Sequence, residues 1–169
     1  MIEIKERQKI PEISKIIDNL YKKYPFLYDR AFCAAFDPSN IYSIRRLNPR
    51  ITTAFLFVPN LTTYMISNAS QTPRPSSKYF VQNVIIRWII DSILLWLGSP
   101  NGLKFLGADI ACVQHQQISQ NLLDQYKQAG IVVCAWCVNE PENQRWLKAN
   151  GVSIITDTPF NIDLHSIIN

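Results

Sequence analysis

Residues 131–156, IVVCAWCVNEPENQRWLKANGVSIIT, combine a strand pattern, a helix pattern and a second strand pattern in one short stretch. The apolar run Ile131–Val138 is rich in β-branched residues, as strands buried on both faces are. Pro141–Ala149 is typical of a helix that begins with proline and ends before Asn150 and glycine. Ser153–Thr156 is the second strand. Two strands joined through a helix in this way predict a parallel pair with a right-handed crossover.

The same alternation of strands and helices extends over most of the 169 residues. The other strand candidates are also short and apolar: Met1–Lys5, Ala31–Phe36, Ile51–Val58 and Ala108–Val113. The other helix candidates are Pro11–Tyr24, Pro38–Leu47 behind the N-cap Asp37, and Ser119–Ala129, which ends before Gly130. This alternation predicts an α/β domain with a parallel sheet, and the length suits one domain over residues 1–169.

Two parallel architectures are compatible with this pattern. A (β/α)8 barrel has eight strands and usually about 250 residues, which is more than this chain provides. A doubly wound sheet places a glycine-rich phosphate loop after its first strand, and no such loop follows Met1–Lys5. The strand pattern alone therefore leaves the arrangement of the sheet open.

Composition and charge exclude several functional classes. The net charge is +4 and the basic residues are scattered, so nucleic-acid binding is not expected. The chain opens on a charged strand pattern without the apolar core of a signal peptide. Four cysteines are too few for a disulfide scaffold. Cys134 and Cys137 have C-x-x-C spacing, but on a strand their sulfurs lie on opposite faces, so we expect buried structural thiols.

The alternation is interrupted at about residues 59–107 by a segment far longer than the usual connection between a strand and a helix. Its first part, Asn60–Lys78, is rich in Ser, Thr, Asn and Pro and is expected to form a loop. N-glycosylation sequons begin at Asn60 and Asn68. Together they favour a luminal or extracellular location.

Tyr79–Leu97 is the most hydrophobic stretch of the chain and predicts a helix that ends at Gly98. Asn83, Arg87 and Asp91 recur every four residues and form a narrow polar stripe. The preferred interpretation is a helix that lies on a bilayer surface or forms a lip for an acyl chain. The alternatives are a buried or partner-covered helix and a membrane span, against which the charged pair in its centre counts.

Candidate functional side chains lie at or just after the C-terminal ends of the predicted strands, where parallel barrels carry their active sites. They are Glu3, Lys5, Glu6, Asp37, Trp136, Asn139, Thr156 and Asp157. A carboxylate for a hard cation, a lysine for a phosphate, and an aromatic and an amide for substrate contact predict metal-assisted chemistry on a phosphate ester. The structural alternatives are an ordinary ion pair for Glu3 and Lys5, packing for Trp136, and capping for the asparagine and Asp157.

Three stretches resemble the second half of the glycerophosphodiester phosphodiesterase family. They are Ile2–Lys5 (IEIK), Ala135–Asn139 with a W-x-V-N strand, and Gly151–Pro159 with the pattern G-V-x-x-I-T-D-x-P. Their order and spacing match, and the resemblance is closest to the membrane-bound animal subfamily. It implies a (β/α)8 TIM barrel, of which this chain would hold about six strands and lack the first two, with a long hydrophobic helical insertion at about 59–107.

The resemblance also implies an activity and a site. The family hydrolyses glycerophosphodiesters to glycerol 3-phosphate and an alcohol with a divalent cation, Mg²⁺ or Ca²⁺. By resemblance, Glu3 is a metal ligand, while Lys5, Trp136 and Asn139 bind the substrate. A membrane surface would be contacted through Tyr79–Leu97.

The family's acid–base histidines and its other two metal carboxylates belong to motifs that precede the strand Ile2–Lys5. No catalytic residue is therefore expected in this chain, and the polypeptide alone is expected to be inactive. His115 is either a surrogate base or a solvated loop residue, with the second expected, and His165 has no expected function.

Two functions are alternatives to the hydrolysis of glycerophosphodiesters. One alternative is a lysophospholipase D-type activity on lysophospholipids or N-acyl glycerophosphoethanolamines. The other is a non-catalytic protein that binds membranes or a partner.

Overall fold

The structure is a computed structural model, and it describes residues 1–6, 8–58 and 84–158. One sheet contains β1 Ile2–Ile4, β2 Cys33–Ala35, β3 Thr53–Phe57, β4 Ile110–Gln114, β5 Val132–Trp136 and β6 Ser153–Ile154. All neighbouring strands are parallel, and their order in the sheet follows their order in the chain. A barrel has this order, whereas a doubly wound sheet reverses direction at a switch point. The described residues therefore form six strands of an open barrel, as the predicted fold class requires.

Helices connect these strands: α1 Ile10–Lys23, α2 Leu27–Arg30, α3 Pro38–Leu47, α4 Val84–Gly98, α5 Pro100–Leu106, α6 Gln120–Gln128 and α7 Pro141–Ala149. Two predicted caps are present. The Asp37 carboxylate accepts a 2.9 Å hydrogen bond from the Ser39 amide at the start of α3, and the Ser119 hydroxyl accepts one from the Leu122 amide at the start of α6. The sequence predicts neither α2 nor α5, because both helices are too short for a clear helical period.

The sheet separates two apolar layers. The larger layer lies between the sheet and its helices and includes buried Tyr21, Ile44 and Phe55. The smaller layer covers the inner face of the open barrel and is built from buried Ala34, Ala54, Leu56, Cys112 and Cys134. Glu3 pairs in register with Ala34, so alternation along the strand directs Glu3 to this inner face.

The helix predicted at Tyr79–Leu97 is described from Val84 onward and ends at Gly98, as predicted. Gly98 lies against the Phe57 ring, where an added Cβ would meet the ring at 2.6 Å, and its carbonyl oxygen accepts a hydrogen bond from the Tyr126 hydroxyl. The sequons, Asn83 and the side chain of Arg87 lie outside the described residues. That this region is an insertion relative to the family stays a prediction.

Candidate functional site

The predicted site residues meet at one edge of the sheet. Because the strands are parallel, their C-terminal ends lie on the same side. Glu3 lies in β1 and Lys5 follows that strand, Trp136 is the last residue of β5, and Asn139 lies between β5 and α7. All four residues predicted to hold metal or substrate therefore lie at this C-terminal edge.

Glu3 and Lys5 form an ion pair at the end of β1. Glu3 Oε1 lies 3.7 Å from Lys5 Nζ, which is longer than a hydrogen bond. The Glu3 side chain is 31% exposed, whereas that of Lys5 is 81% exposed. A pair this accessible to water contributes about 0–1 kcal/mol to stability. The Lys5 ammonium can therefore leave Glu3 and contact another anion with little loss of free energy.

The Trp136 indole packs at the end of the inner layer. Its Nε1–H donates a 3.1 Å hydrogen bond to the Cys112 carbonyl oxygen on the neighbouring strand. Its ring meets the Phe36 ring edge to face, with centroids 5.8 Å apart. The predicted packing role is thus present. Because Trp136 is also partly exposed, its ring keeps a free surface at the edge.

Asn139 joins two loops of this edge. Its Oδ1 accepts hydrogen bonds from the Thr156 hydroxyl at 3.1 Å and the Asp157 amide at 3.0 Å. Its Nδ2 donates to Asp157 Oδ2 at 3.2 Å. The Asn139 carboxamide therefore positions the chain behind β6, and its predicted contact with substrate stays a prediction.

Cys137 also lies at this edge, although the sequence pattern does not predict it there. Since β5 ends at Trp136 and Cys137 adopts a φ of 45°, the thiol is exposed instead of buried in a strand. The prediction of a buried structural thiol is wrong for Cys137, although the other three cysteines are buried and free. Partial burial raises the pKa of the Cys137 thiol, and so do the charge and hydrogen bond of Asp157 and the charge of Glu3. Glu3 on β1 thus acts electrostatically on a residue behind β5.

His115 is not a solvated loop residue, so this prediction is wrong. It begins the 3₁₀ turn His115–Gln117 directly after β4, and only 11% of its side chain is exposed. Its Nε2 lies 3.8 Å from Glu140 Oε2, and its buried Nδ1 forms no hydrogen bond with the described residues. The sequence predicted the strand end but gave no signal for the burial of the ring. His165 lies outside the described residues.

The described residues do not assemble a metal centre. No group of three or more His, Cys, Asp or Glu side chains in residues 1–6, 8–58 and 84–158 has a metal-binding arrangement. A hard cation such as Mg²⁺ or Ca²⁺ needs several oxygen ligands, and Glu3 supplies one carboxylate. The metal-ligand role of Glu3 therefore stays a prediction.

Known sequences resemble nearly the whole chain. The model of the glycerophosphoryl diester phosphodiesterase family matches residues 2–160. Two curated relatives are named glycerophosphodiester phosphodiesterase 1: the Rattus norvegicus protein is 26% identical over 147 residues, and the Homo sapiens protein is 24% identical over 152 residues. Each match covers 86% of this chain but 42% of the relative, so the chain spans less than half the length of these relatives.

Solved structures share the fold. A glycerophosphodiester phosphodiesterase from Parabacteroides distasonis has a TM-score of 0.61 at 17% identity, covering 99% of this chain and 56% of that chain. A phosphodiesterase from Oleispira antarctica, in complex with the product sn-glycerol-3-phosphate, has a TM-score of 0.52 at 12% identity and covers 91% of this chain and 49% of its own. At these identities the likeness establishes the barrel fold. The match to the family model, which runs through every strand of the sheet, shows that the chain belongs to the glycerophosphoryl diester phosphodiesterase family.

Proposed function

We propose that this chain supplies part of the active site of a phosphoric diester hydrolase that converts glycerophosphodiesters to glycerol 3-phosphate and an alcohol. The observation that carries the proposal is the family match over residues 2–160. It includes Glu3, Lys5 and Trp136 together with the strands that bring them to one edge. The names of the rat and human relatives are in line with this activity.

The exposure of Lys5 and Trp136 suits them to opposite ends of such a substrate. The Lys5 ammonium is exposed and weakly paired, so it can offset the negative charge of a phosphodiester. The free surface of the Trp136 ring can pack against the carbon atoms of the glycerol. Asn139 supports this edge by fixing the loop behind β6.

A divalent cation, Mg²⁺ or Ca²⁺, is part of the proposal, with Glu3 as one of its ligands. Because the described residues bring together no further ligands for it, we expect no hydrolysis by the 169-residue polypeptide expressed alone.

A lysophospholipase D-type activity is the second candidate. The observation in its favour is the apolar side of α4, where Trp88 is 71% exposed. An acyl chain attached to the glycerol would find an apolar contact there, whereas a water-soluble glycerophosphodiester would not.

Release of glycerol 3-phosphate from glycerophosphocholine, with Mg²⁺ or Ca²⁺ added, tests the proposal. The assay compares the tagged protein isolated from its own cells with the 169-residue polypeptide. We expect activity in the first preparation, a loss of about 100-fold or more on Glu3→Gln, as for other lost active-site charges, and no loss for the exposed control Glu12→Gln. Lysophosphatidylcholine, tested in parallel through the release of choline, separates the two substrate classes.

Either of two results would contradict this account. An inactive cellular protein would remove the proposed hydrolase function. Hydrolysis by the 169-residue polypeptide that disappears on Glu3→Gln would show that the chain needs no further ligands.

A luminal or extracellular location is a separate proposal, supported by the sequons at Asn60 and Asn68. Endoglycosidase treatment of the cellular protein should increase its mobility on a gel. The double variant Asn60→Gln/Asn68→Gln should migrate with the treated protein, and an unchanged mobility in both experiments would contradict this location.

A further inference from the structure

We propose that α3, α4 and α5 form one docking surface for membranes that contain anionic lipids. We call it the aromatic surface, and it consists of Tyr42 and Arg46 on α3, Trp88 and Trp96 on α4, and Lys104 and Phe105 on α5. Binding to a membrane requires none of the residues at the C-terminal edge. This proposal is therefore independent of the proposed hydrolase activity, and each can be tested without the other.

The first observation is that α4 exposes its apolar side. The exposed side chains include Ile85, Trp88, Ile89, Ile93, Leu95 and Trp96. Their spacing places them on one side of a helix, while buried Leu97 and partly buried Asp91 fall on the other. A surface helix of a soluble domain normally buries its apolar side, and a large exposed apolar patch marks an interaction site.

The second observation is a chain of ring contacts that extends this side of α4 across two more helices. The Trp96 and Phe105 rings have centroids 5.6 Å apart. The Phe105 and Tyr42 rings are stacked with centroids 6.2 Å apart. Phe105 is nevertheless 62% exposed. These rings pack side by side and together face outward, so they make one surface from three helices.

Charge identifies the kind of partner. The Arg46 guanidinium lies 5.7 Å from the centre of the Tyr42 ring, and exposed Lys104 precedes Phe105 in α5. Asp91 is the one acidic residue in the sequence from Ile51 to Leu106, and in α4 it lies away from the exposed side. An apolar face rimmed by cations and containing tryptophan is typical of helices that lie in the interface of an anionic bilayer.

The same charges disfavour a second copy of the chain as the partner. A two-fold contact through the aromatic surface would bring two copies of Arg46 and two copies of Lys104 into one interface without an acidic partner from this surface, and like charges across an interface are unfavourable. Among the residues with described positions, no helix combines the length and apolar character needed to cross a bilayer.

The C-terminal end of α4 lies at the C-terminal edge of the sheet. Gly98 contacts the Phe57 ring, and Phe57 is the last residue of β3.

Co-sedimentation of the 169-residue polypeptide with vesicles tests the proposal. One set of vesicles contains phosphatidylcholine alone, and the other contains phosphatidylcholine with phosphatidylserine. We expect binding to the anionic vesicles, at least tenfold weaker partitioning for Trp88→Asn/Phe105→Ser, and no change for the control Trp146→Asn on α7. Removing the charges in Arg46→Gln/Lys104→Gln should weaken binding roughly fivefold for each charge, whereas Lys127→Gln on α6 should not.

Far-ultraviolet circular dichroism and the urea midpoint show whether each variant remains folded, so a loss of binding can be assigned to the surface. Three results would overturn the proposal. They are no binding to either kind of vesicle, equal binding of the aromatic variants and the wild type, and a concentration-dependent dimer that these same variants dissociate. The last result would make a second copy the partner.

Discussion

Asn139 and Asp157 hold two loops of the C-terminal edge together through both ends of one carboxamide. The Asp157 amide donates a 3.0 Å hydrogen bond to Asn139 Oδ1, while Asn139 Nδ2 donates a 3.2 Å bond to the Asp157 carboxylate. The Thr156 hydroxyl donates to the same Oδ1. The side chain that the family resemblance assigns to substrate binding therefore has a structural task in this chain.

Replacing Asn139 with alanine should loosen this edge. The variant removes the acceptor of the Asp157 amide and the Thr156 hydroxyl, and because water can reach these donors, the free energy of unfolding should fall by about 0.5–1.5 kcal/mol. Urea denaturation measures this change. The control is Asn143→Ala, an exposed position on α7, which should stay within about 0.5 kcal/mol of the wild type. Equal stability of the two variants would show that the Asn139 hydrogen bonds contribute nothing.

The sequence predicts the strands of this fold well because their apolar, β-branched runs are periodic signals. It predicts their ends poorly, and the site lies at those ends. Cys137 continues the apolar pattern of β5, but its positive φ ends the strand. No glycine, proline or asparagine at this position indicates a turn. The sequence predicts that His115 follows a strand, but it does not predict the contact of the ring with Glu140, which lies far along the chain. Tertiary contacts of this kind have no local signal in one sequence.

The hydrophobic stretch Tyr79–Leu97 is likewise only partly predictable from the sequence. Its helical character and its end at Gly98 follow from composition. The side of α4 that faces outward is set by contacts of Leu97 and Gly98 with the sheet, so it could not be read from the sequence.

Gly102 allows α4 and α5 to pack closely, and its replacement by alanine should separate them. An added Cβ would lie 2.5 Å from Leu97 Cα, and backbone cannot move aside as a flexible side chain can. We expect Gly102→Ala to lower the free energy of unfolding by about 1–3 kcal/mol, as overpacking does, and to change tryptophan fluorescence because Trp96 precedes this contact.

Gly130→Ala provides the comparison for Gly102→Ala. Gly130 has a φ of 72° and open space around an added Cβ, so this variant tests backbone strain without a clash. It should destabilise the protein by about 1–2 kcal/mol and leave the fluorescence unchanged. A fluorescence change in Gly130→Ala, or none in Gly102→Ala, would contradict the close packing of α4 on α5.

Asp18 should make the free energy of unfolding fall as the solution becomes acidic. A 2.7 Å hydrogen bond from Lys22 lowers the pKa of this carboxyl, burial opposes the shift, and a bond from Asn48 adds to it. A lowered pKa contributes stability that is present above about pH 4, the unfolded value, and is lost as the pH falls through the folded value. Asp18→Asn should therefore be less stable than the wild type at pH 7, with the difference shrinking by pH 3.

Urea midpoints at pH 7, 5 and 3 measure the effect of Asp18. The matched variants are Lys22→Met and the double variant Asp18→Asn/Lys22→Met, because a double-mutant cycle isolates the interaction of the pair. A coupling that is as large at pH 3 as at pH 7 would exclude the carboxylate as its source.

Cys137 should be the thiol that reacts in the folded chain. Because Cys33, Cys112 and Cys134 are buried, 5,5′-dithiobis(2-nitrobenzoate) should modify one thiol quickly and the others only after unfolding. Cys137→Ser should remove the fast phase.

Burial, Asp157 and Glu3 all raise the pKa of Cys137, so less thiolate is present near neutral pH and the reaction should accelerate as the pH rises. At pH 8, Glu3→Gln should speed the fast phase, because it removes a negative charge that disfavours the thiolate, whereas Glu12→Gln on α1 should not. Equal rates for these two variants would show that Glu3 does not share the edge with Cys137, and the same result would count against any site built from β1 and β5 together.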